Sequence, residues 1–244
     1  MTKIKFGTDG WRAIIAQEYT TENVARVSIA AAEWLNEKFK NPTVIIGHDC
    51  RFAGELFAET TAKVLASKGI KVKLAKGFVS TPMISLGVVK EKANLGIVIT
   101  ASHNPPSYNG YKLKGDFGGP LLQHDITDVE NRIPVLNTVD YNTISFELLV
   151  KEGKVVYVDL EEIYCRHAEA NFDLNTIINS DMNFAYDAMY GAGMNAVKRL
   201  LPNTRLLHCE NNPSFLGTAP EPIHRNLQEF SDLIKDNNLD CGLA

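Results

Sequence analysis

Apolar residues in the first half of the chain recur at helical spacing in some stretches and form short continuous runs in others. Between residues 22 and 39 they fall every three or four positions, as on one face of a helix. Helices are predicted over 22–39, 54–68 and from 80 onward, and strands over 43–47, 70–74 and 95–100. An antiparallel excursion is predicted over 110–122. Because strands alternate with helices, the pattern indicates a layered α/β unit.

The periodic pattern weakens between residues 123 and 150, and a second series of elements then begins. Helices are predicted over 160–171, 193–201 and 226–235, and strands over 182–187, 205–209 and 239–244. The predicted fold class is α/β, with two consecutive domains of mixed sheets flanked by helices, over residues 1–145 and 150–244. Ligand sites in open α/β sheets form beyond the carboxyl ends of strands. Since no such loop follows the last strand, we expect the second domain to be truncated.

The composition argues against a nucleic-acid-binding, membrane-spanning or secreted protein. The 244 residues are 45% hydrophobic and 22% charged, which is typical of a globular protein. The formal net charge of −4, without a basic patch, argues against a nucleic-acid partner. No segment reaches the roughly 18 apolar residues of a membrane span, and the first residues lack a signal core. The four cysteines are widely spaced, so we expect reduced thiols and a cytoplasmic location.

The segment TASHNPPSYNGYKLK, residues 100–114, carries the candidate chemistry. It follows an apolar strand, so Ser102 should lie at the carboxyl edge of a sheet, where two prolines restrict the backbone. Asn109 and Gly110 predict a tight turn. That turn would bring Lys112 back towards Ser102.

Three roles for Ser102 are compatible with this pattern. Acyl transfer needs a base beside the serine, yet His103 on an extended segment should point away, and no GxSxG motif is present. A lone serine that only forms a turn is the structural alternative. Phosphoryl carriage is the third, because a phosphoserine bears about −1.5 to −2 charges and requires cations such as Lys112 nearby.

The same segment resembles the phosphoserine loop of the α-D-phosphohexomutases, the phosphoglucomutase/phosphomannomutase family. Further stretches match the family in order: GTDGWR at 7–12, GHDCR at 47–51, TP at 81–82, YDAMYGAG at 186–193, NPSF at 212–215 and PEP at 220–222. The resemblance covers nearly all of the chain. It implies the first domain and most of the second domain of a four-domain protein, ending before the aspartate loop that binds Mg²⁺.

The resemblance implies a role for each matching residue of the segment. Ser102 would donate a phosphoryl group to a hexose monophosphate, form hexose 1,6-bisphosphate and take back the other phosphoryl group. The net reaction would interconvert hexose 1-phosphate and hexose 6-phosphate. Lys112 would act as proton shuttle or charge partner, and His103 and Asn104 would orient the loop and contact the transferring group.

Residues outside the segment are implied as well. Thr8 and Arg12 would bind the same phosphate, and Asp49 and Arg51 would support the site, with an exposed surface ion pair as the open alternative. Mg²⁺ would bridge a phosphoserine oxygen to aspartates beyond residue 244. Cys50 stands where the family often has a small hydroxyl residue and could make the site oxidisable.

The resemblance also carries expectations about the chain as a whole. Residues 1–244 alone should be inactive, and exposed domain surfaces should favour a dimer. The partner should be a phosphosugar, with no nucleic acid and no membrane. The Thr-Ala-Ser opening favours glucose or mannose phosphate over glucosamine phosphate.

The strongest alternative rests on residues 191–196, which fit the pattern GxGxxA. They follow a predicted strand and open a predicted helix, and Glu210 ends the next strand, as in a dinucleotide-binding fingerprint. This would make the protein a nicotinamide-dependent oxidoreductase. Three residues intervene between Asp187 and the first glycine, however, and the Ser102 segment would stay unexplained. A non-catalytic module that binds sugar phosphates is the third class.

Overall fold

A mixed sheet forms the centre of the first α/β unit in the computed structural model, which describes residues 3–7 and 10–244. Its strands within these ranges are β1 (Trp11–Ile14), β2 (Thr43–His48), β3 (Lys71–Phe78), β4 (Leu95–Ile99), β5 (Tyr108–Gly115) and β6 (Val155–Val158). The order across the sheet is β1-β5-β4-β2-β3-β6. Strands β4, β2, β3 and β6 are parallel, whereas β5 runs antiparallel to both β4 and β1. The carboxyl ends of the four parallel strands therefore share one edge.

Helices cover both faces of this sheet. The helices of the first unit are α1 (Thr21–Lys38), α2 (Gly54–Ser67), α3 (Thr81–Lys90), α4 (Gln123–Asn131) and α5 (Phe146–Lys151). Alternate residues of each strand point to opposite faces, so in β4 Ile97 packs in the larger core cluster and Val98 in the other. Helices α1, α2 and α4 contribute to the first cluster and α3 to the second.

The second unit is smaller and has a parallel sheet. Its helices in the described part of the chain are α6 (Leu160–Asn171), α7 (Leu174–Ile178), α8 (Met194–Leu200) and α9 (Gln228–Asp236). Its strands are β7 (Phe184–Asp187), β8 (Arg205–Leu207) and β9 (Cys241–Leu243), in the order β8-β7-β9. Helix α6 begins with Asp159, whose carboxylate accepts a hydrogen bond from the Glu162 amide at 3.0 Å, an N-cap. None of the helices described here is long and apolar enough to cross a membrane.

The predicted α/β class is confirmed, with a mixed sheet flanked by helices in the first unit; the described strands of the second sheet, which was also predicted to be mixed, are parallel. The first sheet nevertheless takes a strand from beyond the predicted division at 145–150, because β6 pairs with β3. Cys165 and Leu160 of α6 also pack in the same cluster as α3. Strand β6 therefore belongs to the first sheet, and α6 of the second unit packs against the first unit.

The predicted tight turn at Asn109 and Gly110 is wrong. Both residues lie inside β5, where Gly110 pairs with Arg12 of β1. A Cβ on Gly110 would come within 2.5 Å of the Thr100 carbonyl oxygen and 2.8 Å of that of Trp11. Glycine is required here because two flanking backbones approach closely. The Asn-Gly pair therefore reflects a contact between strands and not a turn.

Candidate active site

The carboxyl edge of the first sheet and the second unit enclose a cleft of about 360 Å³. Asp49, Ser102 and His103 line it from the first unit, and Asp187 and Phe215 line it from the second. This volume is in the range of pockets that hold small molecules, about 300–1,000 Å³. Two predicted catalytic residues, Ser102 and His103, thus lie in one cavity.

Ser102 lies on the serine loop, which we define as residues 100–108, directly after β4. Its side chain is exposed, and its φ of 56° is left-handed, a conformation that few residues other than glycine adopt. The Ser102 amide donates to Thr100 Oγ1 at 3.0 Å, and the Thr100 hydroxyl donates to Asp49 Oδ2 at 2.5 Å. A chain of two hydrogen bonds therefore ties the backbone of Ser102 to Asp49.

His103 contacts the serine hydroxyl. Its Nδ1 lies 3.5 Å from Ser102 Oγ. The expectation that these neighbours point apart is wrong, because Ser102 has a left-handed rather than an extended backbone. Acyl transfer also needs a third group to orient the histidine, and no hydrogen bond within the described ranges orients the other ring nitrogen of His103.

Arg51 holds the serine loop from beneath. The two terminal nitrogens of its guanidinium donate to four carbonyl oxygens, those of Ser102 at 2.6 Å, Asn104 at 2.7 Å, Pro105 at 2.9 Å and Tyr108 at 3.1 Å. Its Nε lies 3.3 Å from Asp49 Oδ2, and its side chain is 0% exposed. Asp49 and Arg51 are therefore not an exposed surface ion pair: the buried Arg51 and the partly buried Asp49 support the loop.

The electrostatics of this pair follow from its burial. Burial raises the pKa of the Asp49 carboxyl, while the positive charge of Arg51 and the hydrogen bond from Thr100 act in the opposite direction. Burial likewise raises the pKa of the neighbouring Cys50 thiol to about 12. Since the thiolate is the form that oxidises readily, the expectation that Cys50 makes the site oxidisable is not supported.

The remaining predicted residues occupy different places around the loop. Arg12 Nη1 donates to Asn104 Oδ1 at 2.7 Å, so Arg12 reaches the serine loop. Lys112 is buried within β5 and passes Gly10, where a Cβ would come within 2.9 Å of the lysine Cγ. Neither Arg12 nor Lys112 is among the described residues that line the cleft. Thr8 lies outside the residues that the structure describes.

The second unit contributes a polar pair for which we predicted no role in the site. Asp187 is buried at the end of β7 and accepts hydrogen bonds from His208 Nδ1 at 2.9 Å and from the Met189 amide at 2.8 Å. Met189 and Tyr190 are both left-handed, with φ of 49° and 59°. Asp187 and His208 are 21 positions apart, so no local spacing signals the pair.

The glycine pattern at 191–196 has a structural explanation. A Cβ on Gly193 would lie 2.5 Å from the hydroxyl oxygen of Tyr186, so this glycine permits packing inside the second unit. Helix α8 then starts at Met194. The requirement for glycine here arises without a nucleotide.

Comparisons with known proteins show the family of the chain. The family model for phosphoglucomutase/phosphomannomutase α/β/α domain I matches residues 3–138, and that for α/β/α domain II matches residues 162–244. A Methanosphaera stadtmanae protein assigned as a phosphoglucosamine mutase is 32% identical over 98% of this chain and 52% of its own length. A phosphoglucomutase from Staphylococcus haemolyticus is 31% identical over 88% of this chain and 41% of its own.

The solved structures give the same result. The crystal structure of a Thermus thermophilus protein assigned as a phosphomannomutase superimposes with a TM-score of 0.85 at 33% identity, over 96% of this chain and 52% of that one. The chain spans about half the length of the curated relatives it matches. Both matched family models describe mutase domains, so the nicotinamide-dependent alternative has no support. The chain belongs to the phosphoglucomutase/phosphomannomutase family.

Proposed function

We propose that this chain supplies the phosphoryl-carrying part of a phosphohexomutase, which interconverts hexose 1-phosphate and hexose 6-phosphate through a phosphoserine at Ser102. The observation that carries the proposal is the placement of Ser102. Its hydroxyl is exposed at a cleft between two α/β units, on a left-handed residue whose carbonyl is held by the buried Arg51. Strained residues of this kind persist where the surrounding structure holds them, and they cluster at active sites.

The proposed reaction has two transfers. In the first, a hydroxyl oxygen of the hexose monophosphate attacks the phosphorus on Ser102, the Oγ–P bond breaks, and the hydroxyl proton leaves to a base. The product is hexose 1,6-bisphosphate. In the second, Ser102 Oγ attacks the other phosphorus of this bisphosphate, which restores the phosphoserine and releases the isomeric monophosphate. In the first transfer the departing Ser102 Oγ takes up a proton. In the second, the Ser102 hydroxyl gives its proton to a base and the departing sugar oxygen is protonated, so atoms and charge balance over the cycle.

Positioning accounts for much of the catalysis of phosphoryl transfer. The serine loop is suited to this, since Arg51 holds its backbone and Arg12 binds Asn104 on it. His103 Nδ1, 3.5 Å from Ser102 Oγ, is placed to hydrogen-bond the phosphoryl group or to take a proton. Lys112 would be the charge partner from β5.

The described residues of this chain do not form a Mg²⁺ site. The described residues contain no group of three or more His, Cys, Asp or Glu side chains that could hold a metal ion. They do not fit a cation site by themselves, and the two transfers are therefore written without one. We accordingly expect residues 1–244 alone to show little or no turnover of hexose phosphate. Turnover comparable to that of a four-domain relative would contradict this.

The sugar is proposed only as a class. Relatives named for glucosamine phosphate and for glucose phosphate are 32% and 31% identical to this chain, so similarity does not separate these substrates. The preference for glucose or mannose phosphate stays a prediction.

The proposal is tested by intact-mass measurement and peptide mapping of the protein in its natural full length. We expect one phosphoryl group on Ser102, which is lost to a hexose monophosphate in the presence of Mg²⁺ and retained when the cation is chelated. S102A should carry none and should abolish isomerisation. S107A is the matched control, because Ser107 is an exposed serine on the same loop. Continued isomerisation by S102A, or phosphate on another residue, would overturn the proposal.

A further inference from the structure

We propose that Phe215 of the second unit and Arg51 of the first form one positioning device, through which the second unit holds the serine loop in its reactive conformation. Both are positioning residues, since they act on Ser102 through the loop backbone. The inference rests on the proposed function in one respect, namely that the serine loop carries the phosphoryl group. Its structural part stands on contacts between the two units.

The central contact is between a ring and a guanidinium. The guanidinium carbon of Arg51 lies 5.2 Å from the centroid of the Phe215 ring. The same guanidinium donates its four hydrogen bonds to the serine loop. Because the Arg51 side chain is 0% exposed, the cation–π contact is made without competing water, the condition in which such contacts are strongest.

The backbone of the second unit is strained at this point. Phe215 has a φ of 48° and Leu216 a φ of 50°, left-handed values that bulky side chains rarely adopt. Phe215 is buried whereas Leu216 is 68% exposed, so the unusual turn places the phenyl ring inward. Phe215 packs there with Cys50 of the first unit and Tyr190 of the second. The residue with the strained backbone, Phe215, is the one that covers Arg51. Backbone strain of this kind clusters at functional sites.

The consequence is coupling between the two units. Among the described backbone hydrogen bonds, the carbonyls of Ser102 and Asn104 have no amide partner, and Arg51 supplies their donor. If the Phe215 ring withdraws, water reaches the guanidinium and competes for these bonds. The conformation of the serine loop therefore depends on the position of the second unit's 212–217 turn.

Hydrogen exchange in the protein at its natural full length tests this coupling directly. Phe215→Leu keeps an apolar side chain but removes the ring. We expect the hydrogen-bonded amides of Ser102, Asn104 and Tyr108 to exchange roughly 2- to 30-fold faster, the range spanned by exposed to desolvated cation–π contacts. Phe230→Leu is the matched control, because Phe230 is equally buried in the second unit, on α9, and packs against Gly242 rather than Arg51. F230L should leave exchange of the serine loop unchanged.

Phe215→Tyr keeps the ring and should restore protection, since a cavity of about 140 Å³ beside Phe215 leaves room for a hydroxyl. In steady-state assays we expect F215L to lower kcat more than it raises KM, and F230L to change neither constant. Equal exchange of the serine loop in F215L and F230L, or no change in F215L, would overturn the inference. Rapid exchange in F215Y would do the same.

The two proposals fail separately. Exchange needs no phosphoryl chemistry, so faster loop exchange in F215L, with no phosphate on Ser102 in the parent protein, would support the coupling and refute the proposed function. Phosphate on Ser102 with unchanged loop exchange in F215L would support the function and refute the coupling.

Discussion

Replacing Arg51 by alanine removes a buried cation, so the Asp49 carboxylate loses its countercharge and four carbonyl oxygens of the serine loop lose a side-chain donor. Breaking a buried ion pair in this way costs about 3–5 kcal/mol. Asp49 keeps 17% of its side chain exposed, so we take the lower part of that range, about 3–4 kcal/mol. For a protein of this size each kcal/mol lowers Tm by about 2–4 °C, which gives a fall of about 6–16 °C.

The loss should depend on pH in a defined direction. Burial gives Asp49 a pKa above its usual value, and Arg51 counteracts that increase. A carboxyl whose folded pKa is raised stabilises the protein fully below its unfolded pKa, and this contribution is lost as pH rises through the folded pKa. Arg51→Ala raises the folded pKa of Asp49 further. The gap in stability between parent and R51A should therefore widen as pH rises above about 4, the ordinary pKa of an aspartate.

Tryptophan fluorescence during thermal unfolding is the appropriate assay. Trp11 and Trp34, the two tryptophans of the chain, both lie in the larger core cluster of the first unit, so the signal reports that unit. Arg132→Ala is the control, because Arg132 makes ion pairs with Glu37 and Asp128 at the surface, where a pair contributes about 0–1 kcal/mol.

A double variant separates the charge from the hydrogen bonds. D49N combined with R51A removes the carboxylate that has lost its countercharge. This double variant should be more stable than R51A alone and should lack the part of the pH dependence that comes from Asp49. If R51A costs no more than R132A, or if its cost shrinks as pH rises, the account of Arg51 as a buried support is wrong.

Three further predictions concern other parts of the chain. Because burial raises the pKa of Cys50 to about 12, its thiol should react with iodoacetamide much more slowly at neutral pH than that of the less buried Cys241, as read by peptide mass; faster labelling of Cys50 would contradict this. Gly110→Ala should destabilise the first unit by about 1–3 kcal/mol, since the added Cβ meets two backbone oxygens, whereas a Cβ on Gly7 meets only an ordinary contact at 3.6 Å and serves as the control. Exposed apolar side chains such as Phe52, which is 64% exposed, should favour dimers at high concentration, and a monodisperse monomer in light scattering would count against this.

Sequence patterns located the regular elements well where their cause is local. Apolar spacing over 22–39 predicts α1, and the continuous run at 95–100 predicts β4, whose five residues are all buried. Helical and strand periodicities arise from neighbours along the chain, so they can be recognised without tertiary information. The position of Ser102 at the sheet edge follows from the end of β4 in the same way.

Features that depend on contacts between distant parts of the chain cannot be predicted from local sequence patterns. Strand β6 has four residues with only Val155 buried, and it pairs with β3 more than eighty positions earlier, so its pattern carries little signal. The role of Arg51 stayed open between surface pair and support because its carbonyl partners lie 51 to 57 positions along the chain. The left-handed backbone of Ser102 depends on those same contacts, which explains why its contact with His103 was not foreseen.

On each wall of the cleft a buried charge holds a loop with a left-handed residue, and the two charges have opposite signs. Each wall presents a strained, left-handed residue, Ser102 on one side and Met189 on the other, and such residues cost about 1–3 kcal/mol each. On the first wall the buried cation Arg51 collects carbonyl oxygens, and on the second the buried anion Asp187 collects an amide and the ring N–H of His208. Buried charges remain stable when hydrogen bonds satisfy them, and each of these two charges takes hydrogen bonds from the loop that it supports. Loops fixed in this way stay ordered on both sides of the cavity without filling it, which leaves the Ser102 hydroxyl exposed to whatever the cleft binds.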